Sequence, residues 1–224
     1  MTSSVAILSA YFLVWAVVHS LLASLRVKDW ARQTLGAGVD RWYRLAYVVF
    51  ATATSLPIFA MGALLPDRTL YVVPTPWRWL MIGGQAATLA GAAWAVLQTG
   101  PSYFLGLSQL LARRSTDDTL QVQGFYCYVR HPLYLFAILF VWLTPAMTVN
   151  LATLYGLITL YFVVGSVHEE GRLVAQFGAA YRAYQRQVPR LIPRPGRCYA
   201  TAKEMAPDDS TDGRVWRIKQ GKQE

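Results

Sequence analysis

Residues Leu133–Val167 read LYLFAILFVWLTPAMTV-N-LATLYGLITLYFVVGSV, two apolar runs of 17 residues with only Asn150 between them. Neither run contains a charged residue. As a helix each would be roughly 25 Å long, barely enough for a hydrocarbon core of about 30 Å. A single helix through both would overshoot a bilayer. The stretch is therefore expected to form a tight helical hairpin across a membrane, turning near Pro145 and Asn150, with its two outer ends on one face.

The chain on either side fits that reading. Val5 to about Leu25 is a first apolar span, interrupted only by His19 and a few hydroxyls. It is apolar almost from the start and lacks a basic leader, so a retained span is expected rather than a cleaved signal peptide. A second span runs from about Trp42 to Leu65, with Arg44 at its start and Pro57 inside as a kink that neighbouring helices would satisfy. A short loop with Pro66, Pro74 and Pro76 leads to a third span, about Trp79 to Leu97. There Gly83, Gly84, Gly91, Ala87 and Ala90 allow close approach of a neighbour. Residues 98–132 are polar and irregular. After the hairpin, Leu173, Phe177, Tyr181, Tyr184 and Val188 recur at helical spacing. They predict an amphipathic helix over 168–188, ended by Pro189, lying at the membrane surface or folded back over the bundle. The fold class is thus an all-α integral membrane helical bundle of about five transmembrane helices. Residues 1–198 form one domain, with the functional part at about 118–193, and 199–224 form a polar tail.

Composition agrees. Of the 224 residues, 54% are hydrophobic and 15% charged, where soluble domains carry about 25% charge. The net charge of +9 could indicate nucleic-acid binding. The basic residues lie in loops and the C-terminal segment, however, which fits a negatively charged leaflet instead, so no nucleic-acid partner is expected. Nineteen Lys and Arg fall on one side of the five-span arrangement; only Arg68 and Arg78 fall on the other. The N-terminus is accordingly expected outside and the C-terminus in the cytoplasm. Two cysteines, Cys127 and Cys198, with no CxxC pair argue against a disulfide framework or a zinc site.

The hairpin places Arg130 and His131, just before span four, beside His168, Glu169 and Glu170, just after span five. Ionisable groups at a membrane boundary pair with one another or line a polar cavity. One reading is an interfacial salt-bridge cluster; the other is a binding site. Arg130 either orients an anionic substrate or, the favoured role, pairs with Glu169 or Glu170. His168 has too little ligand company to hold a metal. Cys127 reads as packing. His19, with Ser20 beside it near the same face, reads first as a packing residue bonded to another helix. Tyr43 and Trp42 read as interfacial belt residues.

The order of residues is more specific. Gly124-x-Tyr126-x-x-Val129-Arg130-His131-Pro132-x-Tyr134, then Glu169-Glu170-x-x-Leu173-x-x-x-Phe177-Gly178-x-x-Tyr181-x-x-Tyr184, then Val188-Pro189-Arg190-x-Ile192-Pro193 resembles the membrane methyltransferases related to isoprenylcysteine carboxyl methyltransferase. The likeness covers roughly residues 118–193. A looser one, at His19-Ser20-Leu21-Leu22-Ala23-Ser24, Tyr43-Arg44-Leu45-x-Tyr47 and Phe104-Leu105-Gly106-Leu107-x-Gln109, is to the branch with nurim-like and NnrU-like proteins and bacterial methanethiol S-methyltransferases.

The resemblance implies S-adenosylmethionine as cofactor. Thr119, Leu120 and Gln121 would give it backbone contacts, Tyr126, His131, Pro132 and Tyr134 would line its pocket, and Glu169 would close it. The catalytic set implied is Arg130, His131, Glu169 and Glu170. Phe104 to Leu107 would form a re-entrant or surface turn above the pocket. The prenylcysteine enzymes carry an arginine shortly before the glutamate pair, whereas Val163 to Val167 contain no basic residue. That departure turns the expected acceptor towards thiols or other small or lipophilic nucleophiles, reached from the membrane lipids. The alternative is a non-catalytic, nurim-like membrane scaffold that keeps the fold. Transport is disfavoured, because the spans lack buried charges and an internal repeat. A bacterial inner membrane is the expected location.

Overall fold

The computed structural model describes residues 2–36, 38–99 and 120–194. Thr119, the stretch Phe104 to Leu107 and the tail 199–224 lie outside the described residues. The elements in chain order are α1 (Thr2–Ala23), α2 (Leu25–Leu35), α3 (Val39–Leu64), β1 (Thr69–Val72), α4 (Trp77–Thr99), a 3-10 turn (Gly124–Cys127), α5 (Pro132–Trp142), β2 (Ala146–Thr148) and α6 (Val149–Gln187). Among the described residues α1, α3, α4 and α6 are long and apolar enough to cross a membrane. The fold is an all-α membrane bundle, as expected, with one small two-stranded ribbon added.

Three elements differ from the sequence expectation. First, the fourth span is helical only over Pro132–Trp142, 11 residues, or about 16 Å. The chain then extends, and β2 pairs antiparallel with β1. The pairing places the hairpin tip at the α3–α4 end of the bundle. Backbone groups freed by the unwinding find local partners: Gln85 Nε2 donates to Phe140 O at 3.0 Å, and Val73 N to Pro145 O at 2.8 Å. That satisfies the requirement for non-helical backbone at membrane depth. Second, the fifth span runs without a break into the amphipathic segment as far as Phe177, and a second helix follows a kink at Gly178, where φ is +56°; the two together are α6. Its first half crosses the bundle and its second half projects beyond it. Third, α2 was not anticipated. Ser24 Oγ caps it, accepting from Val27 N. It carries Arg26, Lys28 and Arg32 beside exposed Trp30 and Leu35, the pattern of a helix lying at a membrane surface.

Two packed groups make up the bundle. Leu8 and Phe12 of α1, Ile58 of α3 and Leu154 of α6 form one apolar core. α4 packs along α5 through the small residues the sequence singled out. A Cβ at Gly91 would lie 2.7 Å from Phe136 Cζ, and one at Gly84 3.0 Å from Leu143. Asn150, fully buried, fastens the tip. Its backbone N–H and that of Arg68 both donate to Asp67, at 3.1 and 2.7 Å. Val14, Val17, Leu56, Leu64, Leu80 and Trp94 remain exposed, a surface suited to lipid.

At the opposite end Phe177, Tyr181, Tyr184 and Val188 bury their stripe against Leu120, Val122 and Cys127. The amphipathic half of α6 thus packs its apolar stripe against the segment that leads into α5. Cys127 is disulfide-bonded, against the expectation from its spacing; separation along the chain does not limit which thiols approach in space.

Candidate active site

The site forms where four segments meet at the end away from the β1–β2 ribbon. Pro132 opens α5, where its missing N–H is no loss. The preceding residues run alongside the chain after α6: Arg130 N donates to Pro189 O at 3.0 Å and His131 N to Arg190 O at 3.2 Å. Gly124, at φ +62°, lets the turn carrying Tyr126 pass against Gln98; any Cβ there would overlap the Gln98 amide. The Tyr184 hydroxyl donates to Tyr126 O and fixes that turn to α6.

Adjacent glutamates on α6 point to different partners, since neighbours on a helix are about 100° apart. Glu170 is buried and saturated. Its Oε1 accepts from Arg130 Nε at 2.8 Å, His131 Nε2 at 3.2 Å and Arg190 Nε at 3.2 Å. Its Oε2 accepts from Gln185 Nε2 at 3.0 Å and Arg190 Nη2 at 3.1 Å. Burial alone would raise this carboxyl, but the hydrogen bonds and charges of Arg190 and Arg130 outweigh it and hold it at about 2. Arg130 also donates through Nη1 to the carbonyls of Gln185 and Val188. Arg130, Glu170 and Arg190 thus clamp three chain segments together.

Glu169 is one-third exposed and faces the other way. It accepts from the Tyr134 hydroxyl at 2.9 Å, lies 3.6 Å from His131 Nδ1, and has Arg172 at 4.0 Å. His131 stands between the two glutamates, buried. Burial lowers its pKa, while Glu169 and Glu170 pull it back. Glu170 is ionised and can only accept, so the Nε2 nitrogen carries the proton and Nδ1 turns towards Glu169. The His131 ring stacks on Tyr134 with centroids 5.3 Å apart, and Tyr134 on Phe162 at 4.8 Å. Burial, then the charge of Glu169, pushes Tyr126 up to about 12. Among the described residues, buried Gln98 Oε1 and the Tyr181 hydroxyl have no hydrogen-bond partner.

The structure therefore brings Arg130, His131, Pro132, Tyr134, Glu169 and Glu170 together, with Tyr126 within reach of Glu169. Leu120 is buried in the adjoining core and Gln121 half-buried, so Leu120 offers a ligand its backbone only. Pro132 is fully buried. Sequence reasoning gave no role to Arg190, Gln185, Arg172 or Phe162. Arg190 had a signal, a cation in the Val188-Pro189-Arg190 motif with an acid to match; Phe162 had none within its apolar run. His168 is exposed, and no His, Cys, Asp or Glu group suited to a metal occurs among the described residues.

Comparison with curated proteins finds relatives over most of the chain. The chain is 30% identical to the methanethiol S-methyltransferase of Crocosphaera subtropica, over 80% of this chain and 71% of that protein. It is 31% identical to methanethiol S-methyltransferase 2 of Bradyrhizobium diazoefficiens, over 81% of this chain and 70% of that one. The chain belongs to the methanethiol S-methyltransferase family. Methanethiol S-methyltransferase 1 of the same organism is 31% identical over 80% of this chain, which spans 64% of its length. Outside that family, the protein-S-isoprenylcysteine O-methyltransferase of Schizosaccharomyces pombe is 33% identical over 44% of this chain. No family model and no solved structure matches.

Proposed function

We propose that this member of the family is itself a membrane methyltransferase that uses S-adenosylmethionine to methylate a small thiol at the cytoplasmic face. The observation that carries the reading is the division of labour between Glu169 and Glu170. One carboxylate is saturated and locks the fold. The other is left partly open among aromatic faces, where a cation with hydrogen-bonding groups would be held. The residues present fit S-adenosylmethionine: Glu169 offers an anion, Tyr126 and Tyr134 offer ring faces to a sulfonium, and Gln98 Oε1 offers an acceptor. The bound cofactor would supply an electrophilic methyl group on a positively charged sulfur.

The protein's part is to bind and align. Methyl transfer needs nucleophile, carbon and leaving sulfur in line, so positioning dominates. Glu169 and Tyr134 hold the donor side, while His131 and the Arg130–Glu170–Arg190 clamp fix their geometry. The roles expected of Leu120 and Gln121 remain backbone contacts to the cofactor. A thiol is favoured over a prenylcysteine because Val163 to Val167 carry no cation for a carboxylate. The basic residues of α2 and of the second half of α6 support a cytoplasmic position for this end of the bundle, with the N-terminus outside.

The test is calorimetric titration of detergent-purified protein with S-adenosylmethionine and S-adenosylhomocysteine. Saturable binding, weakened at least tenfold in Glu169→Gln, is expected. Well-folded wild-type protein that binds neither would replace the reading with a non-catalytic scaffold.

A further inference from the structure

A second polar cluster, one turn from the cytoplasmic end of α1, takes no part in holding the cofactor. His19 stands between α3 and α6. Its Nε2 is 2.7 Å from the Tyr47 hydroxyl and its Nδ1 2.8 Å from the Tyr161 hydroxyl. Trp15 stacks on the ring at 4.7 Å. Ser20 Oγ lies 3.1 Å from the same Tyr161 oxygen. Bonding helices together requires one such contact. Here both nitrogens meet hydroxyls, so the ring is oriented and one nitrogen must accept while the other donates.

This cluster adjoins the cofactor side. Phe162, next to Tyr161, is the ring on which Tyr134 stacks, and Tyr134 donates to Glu169. Tyr161, Gly165 and Glu169 follow at intervals of four on α6 and share a face. Among the described residues, a Cβ at Gly165 would meet no atom within 4 Å, so they leave the face between Tyr161 and Glu169 open. Arg172, beside Glu169, is within electrostatic reach of both Tyr47 and Tyr134, as is Tyr161. An apolar groove lined by Leu35, Val39, Trp42 and Tyr43 reaches to within one helical turn of Tyr47 along α3.

We propose that Tyr161 and His19 form the acceptor side of the site: a small neutral thiol lies beside Gly165, and its proton passes through the Tyr161 hydroxyl to His19. The proposal rests on the methyltransferase reading above. The acceptor's S–H bond breaks as its proton moves to Tyr161 Oη and the tyrosine's own proton moves to His19 Nδ1. The freed sulfur pair forms the new S–CH3 bond, and the pair of the old methyl–sulfonium bond returns to the donor sulfur. One proton remains on the imidazole and leaves to water. Nε2–H donates to Tyr47 throughout, and Ser20 Oγ donates to Tyr161. Tyr161 is the residue that touches the acceptor; His19 acts through it.

His19 meets the hydroxyls of Tyr47 from α3 and Tyr161 from α6 and the ring of Trp15; Tyr43, Arg44 and Arg172 act electrostatically on Tyr47, and Glu169 and Arg172 on Tyr134. In wild type, kcat/KM for an alkanethiol should reach its plateau well below the ionisation of a free thiol, about 8.5. In His19→Asn and Tyr161→Phe it should fall about 100-fold or more at neutral pH, the range of general-base loss. The profile should move up towards the ionisation of the free thiol itself, about 8.5. An aryl thiol that is already ionised should lose less than about fivefold. S-adenosylhomocysteine affinity should stay within about threefold of wild type. A readout independent of turnover is the ultraviolet thiolate absorbance of an alkanethiol added to the protein with S-adenosylhomocysteine; it should appear in wild type and vanish in both variants. Variants that bind S-adenosylhomocysteine normally and keep the wild-type pH profile would overturn the acceptor-side proposal alone. Loss of S-adenosylhomocysteine binding in both variants would show the cluster to be structural. A wild type that binds no S-adenosylhomocysteine would overturn the underlying reading as well.

Discussion

Glu169 and Glu170 are neighbours in sequence with opposite environments, and substitution should separate them. Glu170→Ala leaves Arg130 buried without its carboxylate, and breaking such a pair costs about 3–5 kcal/mol; the melting temperature in detergent should drop sharply. Glu169→Ala, at a partly open position, should leave melting nearly unchanged while S-adenosylhomocysteine affinity falls at least tenfold by calorimetry. The folded pKa of Glu170, about 2, lies below its ordinary 4.5. Its stabilising contribution is therefore complete above about pH 4.5 and is lost as pH falls towards 2. Melting temperature measured from pH 7 to 3 should decline at the acidic end, and the decline should be shallower in Glu170→Gln. The hairpin reading grouped both glutamates with Arg130, His131 and His168, and the family resemblance added Tyr134. The sequence could not say which carboxylate is locked, because the partners that decide it, Arg190 and Gln185, arrive from the far end of α6.

Elements were legible where the pattern is local. The apolar runs of α1, α3 and α4 and the stripe from Leu173 to Val188 were read correctly as helices. What failed depends on contacts distant in sequence. Nothing within residues 143–148 announces that they extend to pair with Thr69–Val72, so the fourth span appeared longer than its helix. The continuity of α6 was hidden because its two halves face different surroundings. Close packing of α4 on α5 gives a test at this scale. Gly91→Leu should cost about 1–3 kcal/mol by overpacking against Phe136, seen as a lower melting temperature. Adding Phe136→Ala to it should recover part of the loss, a coupling that independent sites would not show.

For the molecule as a whole, the two ends of the bundle should face opposite compartments. A cysteine placed at Arg68 should react with a membrane-impermeant maleimide in intact cells, and one at Arg186 only after permeabilisation; the reverse pattern would invert the topology. The Arg130–Glu170–Arg190 clamp has a further consequence during synthesis. All the spans emerge from the ribosome before Pro189 and Arg190, so a growing chain can be inserted in the membrane with its site still unclosed. Until those last residues arrive, Glu170 lacks two of its donors and the backbone of Arg130 and His131 lacks its strand-like partners. Chains interrupted between Gln187 and Arg190 should be inserted yet left with a charged, unclamped end, open to the proteases that survey nascent membrane proteins.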